Sequence, residues 1–249
     1  MAKILVLAKS GFGKTTSIGK VEAIGNKGLE PKDTYLISST SKPLPFPKSK
    51  VLYPLTNLQY LDTRGTVDVK SLSSGKRVVS NVPGTVTAVL QALVNSPFKN
   101  IVLDDFNYLM QDWYMDNALA TGWDGPKKIG YFIGQIFKAI ETLDVAGKNI
   151  FVLAHGEEEK SEGDQRVYVK MKTTGKMVDS YVTPEGKFDV VLLGISSFNS
   201  SEKRVCKNFL TNENEFYSSA KSPIGMFDKE FIPNDLGIVV DKLKEYYGE

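Results

Sequence analysis

Cysteine and histidine are nearly missing from this sequence: Cys206 and His155 are the sole representatives in 249 residues. A single cysteine excludes an internal disulfide and suits a reducing compartment. Apolar runs are short, none approaching the roughly 20 residues that span a bilayer. No basic segment followed by an apolar stretch opens the sequence, as a secretory leader would. A soluble protein of the cytoplasm, without membrane contact, is the expectation. Net charge is nearly absent too: Lys plus Arg total 31 against 29 Asp plus Glu, a formal +2, which argues neither for nucleic acid nor against it. Arg64, Arg77, Arg166 and Arg204 are scattered, so no arginine cluster is available to close a lid over phosphates. There is no internal repeat and no low-complexity tail. With 41% hydrophobic and 24% charged residues, the composition is that of an ordinary globular chain. The simplest organisation is one α/β domain over 1–249.

What is present is a series of short apolar runs. Lys3–Leu7, Thr34–Ser38, Ile101–Leu103, Asn149–Ala154 and Phe188–Leu193 suit strands covered on both faces, as in a mainly parallel sheet flanked by helices. Amphipathic spacing predicts helices over Thr85–Val94 and Ile129–Leu143, the latter with Phe132, Ile136, Phe137 and Ile140 on one side. Two regions depart from this alternation. Residues 42–80 begin with Pro43, Pro45 and Pro47 and then offer Thr66–Ser71 and Arg77–Ser80 around Ser73-Ser74-Gly75, an extended loop followed by a β-hairpin. Residues 157–187 form a second excursion: Glu157–Gln165 is polar and reads as a mobile loop, and Arg166–Met171 as a further strand. Lys203–Leu210 reads as another strand, completing a β-rich C-terminal part. A last helix spans Asn234–Tyr247 after Pro233.

The first run leads into Ala8-Lys9-Ser10-Gly11-Phe12-Gly13-Lys14-Thr15. This fits the phosphate-binding P-loop with one departure, Ala8 where the pattern prefers Gly, so an ordinary backbone φ is expected there. Thr16–Ile24, which follows, can be helical. A buried strand would deliver the loop, and the backbone of Lys9, Ser10, Gly11, Phe12, Gly13, Lys14, Thr15 and Thr16 would wrap the phosphates of ATP. Lys14 supplies a point charge on the β/γ oxygens, and the Thr15 hydroxyl is a candidate Mg²⁺ ligand. A Gly-rich turn that happens to carry Lys-Thr is the bland alternative.

Turnover needs more than a phosphate cradle. In Ile101-Val102-Leu103-Asp104-Asp105 an acid closes a buried strand, the arrangement that holds Mg²⁺ in P-loop enzymes; Asp104 takes that part, and it could also cap the next helix. Asp105 stands where a carboxylate polarises the attacking water. It could equally be a cap, with Asp62 or Glu157 supplying the base. His155 ends the fourth run, where ligands of open α/β sheets bind. It is either a γ-phosphate sensor or a satisfied structural residue.

Ala8–Thr16, Lys42-Pro43-Leu44-Pro45-Phe46, Val102–Asp105 and Val152-Leu153-Ala154-His155 occur in an order and spacing, followed by Gly175-Lys176 and Phe188-Asp189-Val190-Val191, that resembles bacteriophage-encoded AAA-family ATP-binding proteins with a RecA-like core. That group includes the minimal single-strand annealing recombinases. The resemblance implies a RecA-like ATPase domain whose fourth strand lies between the first and third, with a γ-phosphate sensor ending that strand. It also implies a ring or filament of identical subunits with ATP at their boundaries and a basic residue supplied by the neighbour, for which Lys221 and Arg204 are candidates. A phage-encoded protein of this kind would work in the host bacterial cytoplasm. Ala8 for Gly and Asp105 for Glu are departures from the pattern.

For what ATP drives, the resemblance favours single-stranded DNA binding in recombination or replication. Phe106, Tyr108, Trp113, Tyr114 and Trp123, with Lys127-Lys128 nearby, could stack bases or simply be core and interface. The acidic Glu157-Glu158-Glu159 would repel a phosphate backbone. A small-molecule phosphotransferase and a nucleotide-gated assembly protein without DNA are the alternatives.

Overall fold

Alternation along the first strand sets the two faces of the sheet. Leu5 and Leu7 turn toward one buried cluster, Ile4, Val6 and Ala8 toward another, as the two-residue repeat of an extended chain requires. The computed structural model describes residues 1–40, 42–53, 60–62, 67–68, 77–78, 82–116, 124–161, 163–174, 178, 183–201 and 203–248. Its strands and α-helices are β1 (Lys3–Ala8), β2 (Thr34–Ser38), α1 (Ser49–Leu52), β3 (Tyr60–Asp62), β4 (Val67–Asp68), β5 (Arg77–Val78), α2 (Val82–Leu93), β6 (Asn100–Asp104), α3 (Phe106–Asp116), α4 (Asp124–Val145), β7 (Asn149–Ser161), β8 (Asp164–Met171), β9 (Val190–Asn199), β10 (Arg204–Leu210), β11 (Phe231–Pro233) and α5 (Leu236–Tyr247).

The main sheet runs β11-β10-β9-β1-β7-β6-β2-β3, with β8 paired to β7. The centre is parallel: β1 pairs with β7 and β9, β6 with β7 and β2, and β2 with β3. The flanks β9–β10–β11 and the β7–β8 hairpin are antiparallel. Helices α2, α3 and α4 cover one face. On α4, Ile129, Ile133, Ile136, Phe137, Ile140 and Leu143 are all buried at helical spacing, each contributing roughly 1.5–3 kcal/mol by leaving water. On the other face α5 buries Leu236, Val239 and Leu243 against Val6, Phe151 and Leu192.

All five expected central strands form, and β7 lies between β1 and β6. The expected hairpin in 42–80 is partly seen: Val67 and Asp68 pair with Val78 and Arg77, while the turn at Ser73-Ser74-Gly75 lies outside the described residues. Strand β3 was not anticipated. Neither was α3, whose crowd of aromatics masks a helical face.

Two expectations are corrected. Glu157–Gln165 is no loop; β7 continues through it to Ser161 and turns back as β8. The ladder satisfies the backbone, Glu159 pairs with Lys170 across the strands, and Glu158 pairs with Lys9, so charge there does not end the strand. Nor is Thr16–Ile24 one helix. Two short 3₁₀ turns, Thr15–Ile18 and Glu22–Ile24, stand in its place. A continuing α-helix would need the Ile18 carbonyl for residue 22, but the Leu29 N–H takes that carbonyl at 2.8 Å. Gly28, with φ 67°, packs backbone to backbone on Gly19, where a Cβ would fall 2.4 Å from the Gly19 carbonyl carbon.

Asp235 ties this segment to the C-terminal helix. Its buried carboxylate caps α5 by accepting from the Gly237 N–H at 2.8 Å, and also accepts from Lys27 N–H at 2.6 Å and Gly28 N–H at 2.9 Å. Asp235→Ala orphans three backbone donors and is expected to lower stability by about 3 kcal/mol. Asp235→Asn, which keeps a carbonyl acceptor, should recover most of that in a denaturant titration.

Candidate functional site

Parallel pairing aligns the carboxyl ends of four strands: Ala8 is in register with His155, and Ser38 with Asp104. The P-loop springs from this edge. Ala8 keeps an ordinary strand φ, as expected, while Gly11 (φ 77°) and Gly13 (φ 103°) take the left-handed conformations that glycine alone adopts cheaply. Phe12 anchors the loop by burying its ring 6.0 Å from that of Phe209. The Asn234 amide donates to the Gly13 carbonyl at 2.9 Å, and the Lys207 ammonium to the Gly11 carbonyl at 2.9 Å.

A cavity of about 330 Å³ opens beside the loop, and Lys14, Thr15, Thr16, Asp104, Asp105 and His155 all line it. A larger groove, about 420 Å³, lies on the loop's other flank and holds none of Lys14, Asp104 or His155; the candidate site residues gather at the smaller cavity. The Lys9 side chain turns toward that outer groove and pairs with Glu158 at 2.8 Å. Glu157 is not among the residues lining the phosphate cavity. Asp62 sits on β3 in register with Ser38, and its side chain lies outside the described residues.

The Thr15 hydroxyl donates to the Asp104 carboxylate at 3.1 Å. Burial pushes the Asp104 carboxyl up to about 7, with the neighbouring Asp105 charge adding to the effect. Lys14 is buried, its ammonium 3.3 Å from the Ala8 carbonyl and 3.5 Å from His155 Nδ1. Burial lowers its pKa against the opposing pull of Asp105 and Asp104. His155 is likewise depressed, by burial first and then by the Lys14 charge, which keeps the ring neutral at neutral pH. Its Nδ1 then accepts from Lys14, and its Nε2–H faces Asp105 Oδ1 at 3.7 Å. Asp105 adopts φ 55° and takes a 3.4 Å hydrogen bond from the Thr40 hydroxyl. That uncommon backbone aims the carboxylate across the cavity.

Sequence reasoning placed Tyr108 only on a base-stacking platform, gave Lys42 no role of its own and overlooked Asn107. Tyr108 and Lys42 line the cavity. Asn107 accepts from the His155 N–H and donates to the Lys172 carbonyl, pinning the bend where β7 leaves the sheet. Neither candidate neighbour-supplied cation lines the phosphate cavity: Arg204 borders a separate groove with Thr16 and Asn26, and Lys221 pairs through its backbone with Val191. The aromatic platform divides. Phe106 and Trp113 are core, Tyr108 faces the cavity, Tyr114 is exposed, and Trp123 lies outside the described residues, as do Gly175 and Lys176.

No ring of three or more His, Cys, Asp or Glu side chains exists among the described residues. Thr15 and Asp104 alone would leave a cation to complete its shell with phosphate oxygens and water, which fits Mg²⁺. No helix among the described residues is long and apolar enough to cross a membrane.

The glycine-containing loop follows the strand between β7 and β9, and Asp104 ends the strand beyond β7, in an α/β fold whose central sheet is mainly parallel and flanked by helices. No protein-family model matches the chain and no curated protein matches it. Among solved structures, it is similar to a KaiC-like protein from the hyperthermophilic archaeon Pyrococcus horikoshii, at 12% identity and a TM-score of 0.43 over 84% of this chain and 78% of that one.

Proposed function

We propose that this chain is a Mg-ATP-binding P-loop ATPase of the phage type that couples nucleotide binding and hydrolysis to single-stranded DNA. The observation carrying the reading is the convergence of Lys14, Thr15, Asp104, Asp105 and His155 on one cavity, from segments up to 141 residues apart. The loop amides and Lys14 bind the β- and γ-phosphates. Thr15 and Asp104 would hold Mg²⁺, which would supply neutralisation of the negative charge on the phosphates. Asp105, oriented by Thr40, accepts a hydrogen bond from the attacking water and aligns it with the γ-phosphorus. Neutral His155, between Lys14 and Asp105, registers whether the γ-phosphate is present.

Identical subunits in a ring or filament complete the reading, with Lys221 and Arg204 still candidates for a cation given to a neighbour. The exposed cross-strand pair Phe198 and Val205 on the β9–β10 hairpin supports such a contact. For DNA the support is the same hairpin, where Lys203 and Arg204 accompany Phe198. Buried Phe106 and Trp113 lend none. Calorimetry with ATP and Mg²⁺ tests the nucleotide reading, and no heat at millimolar ATP would end it. Fluorescence anisotropy of labelled single strands across a salt series tests the DNA reading, which fails if ATP-loaded protein shows no binding at low salt.

A further inference from the structure

Lys42, Pro43, Leu44 and Pro45 line the same cavity as the P-loop residues Gly13, Lys14 and Thr15. This segment is held in place from below. Phe46 is buried 6.1 Å edge-on from Tyr53, Leu44 packs against the same core, and the Ser49 hydroxyl donates to the Leu44 carbonyl at 3.1 Å. Pro43, Pro45 and Pro47 stiffen the backbone on either side. Lys42, by contrast, is exposed, and its ammonium rests 5.5 Å from the centre of the Tyr108 ring. That ring stands edge-on to His155 at 5.6 Å. A cation over a half-buried ring is held more weakly than one bonded to phosphate, so Lys42 is parked where a triphosphate would recruit it. Its charge already acts on both Lys14 and His155, lowering the proton affinity of each.

We propose that Lys42 is a catalytic cation supplied from within the same chain, reaching the terminal phosphate from the Tyr108 side of the cavity and stabilising the charge that develops on its oxygens during transfer to water. This rests on the ATPase reading above. It differs from that reading in one respect: a neighbouring subunit need not complete the charge around the γ-phosphate. Lys207, the other lysine lining this cavity besides Lys14, is committed to the Gly11 carbonyl. Arg204 and Lys221 lie outside it.

The test compares wild type, Lys42→Ala and Lys42→Arg in full-length protein, with ATP turnover and binding of a non-hydrolysable ATP analogue measured separately. Lys42→Ala should lose at least about 100-fold in kcat, the scale of removing one transition-state donor. Its analogue affinity should stay within about threefold of wild type, because the loop amides and Lys14 remain. Lys42→Arg should retain turnover within about tenfold, since it restores a charge on a similar stem. A second measurement mixes Lys42→Ala with Asp104→Asn protein, which carries an intact Lys42. Activity should not return. Near-wild-type turnover of Lys42→Ala overturns the proposal, as does rescue on mixing, which would mean the lysine acts on a neighbour's nucleotide. Wild-type protein that binds no analogue overturns the nucleotide reading itself, a result distinct from either.

Discussion

Lys14→Ala is expected to weaken Mg-ATP binding by about 100-fold or more, close to 3 kcal/mol, because the β/γ oxygens lose their principal side-chain charge. The fold should not suffer. Burial depresses the Lys14 pKa in the free protein, so the unfolded chain binds that proton more tightly than the native one. Stability linked to this group therefore rises with pH as the lysine deprotonates, and at neutral pH the native state carries the cost of a buried cation. Removing the cation relieves that cost. The variant should melt at or above the wild-type temperature without nucleotide. Wild type at 100 times its dissociation constant for ATP should gain about 2.7 kcal/mol, roughly 5–10 °C for a chain of this length, and Lys14→Ala should gain almost nothing at the same ATP. A variant that loses both fold and binding would mean Lys14 is structural.

Asp104→Asn is expected to separate function from stability most sharply. Turnover should fall by about 1,000-fold as the carboxylate proposed to hold Mg²⁺ is lost. Stability should move the other way. With its folded pKa pushed up to about 7 from 3.8, Asp104 keeps its proton in the native state at pH values where the unfolded chain has lost it. The native state therefore binds more protons between those limits, and stability falls as pH rises through the window. Above pH 7 the ionised, buried carboxylate costs on the order of 4 kcal/mol in nucleotide-free protein. Asparagine removes that cost. Melting curves at pH 8 should show the variant several degrees above wild type, and at pH 4 the two should converge. Equal melting temperatures at pH 8 would contradict a buried, unneutralised acid at this position.

The parts of the site read most clearly from sequence are those made by contiguous residues. Ala8–Thr16 is a loop built by its own backbone, and the left-handed Gly11 and Gly13 follow from residue type. Asp104 follows from its place at the end of a buried apolar run. What was misread depended on distant partners. Thr16–Ile24 has local freedom to be helical, but Leu29 takes the carbonyl that the helix needed. Glu157–Gln165 is polar enough for a loop, yet β8 supplies a ladder that makes it a strand. Lys42 stood in view as part of a proline-rich stretch, and nothing in its neighbours announces that it lines the same cavity as Lys14.

By itself the sequence determined the left-handed glycines of the loop after β1, the central strands and the acid that ends β6, since each depends on interactions between residues close in the chain. Tertiary structure alone decided the contact that sets His155 against Lys14, the β2–β6 register that brings Thr40 to Asp105, and the cavity lining that carries Lys42. Those placements come from burying both faces of one sheet at once. That constraint acts between elements tens to hundreds of residues apart, and no local pattern encodes it.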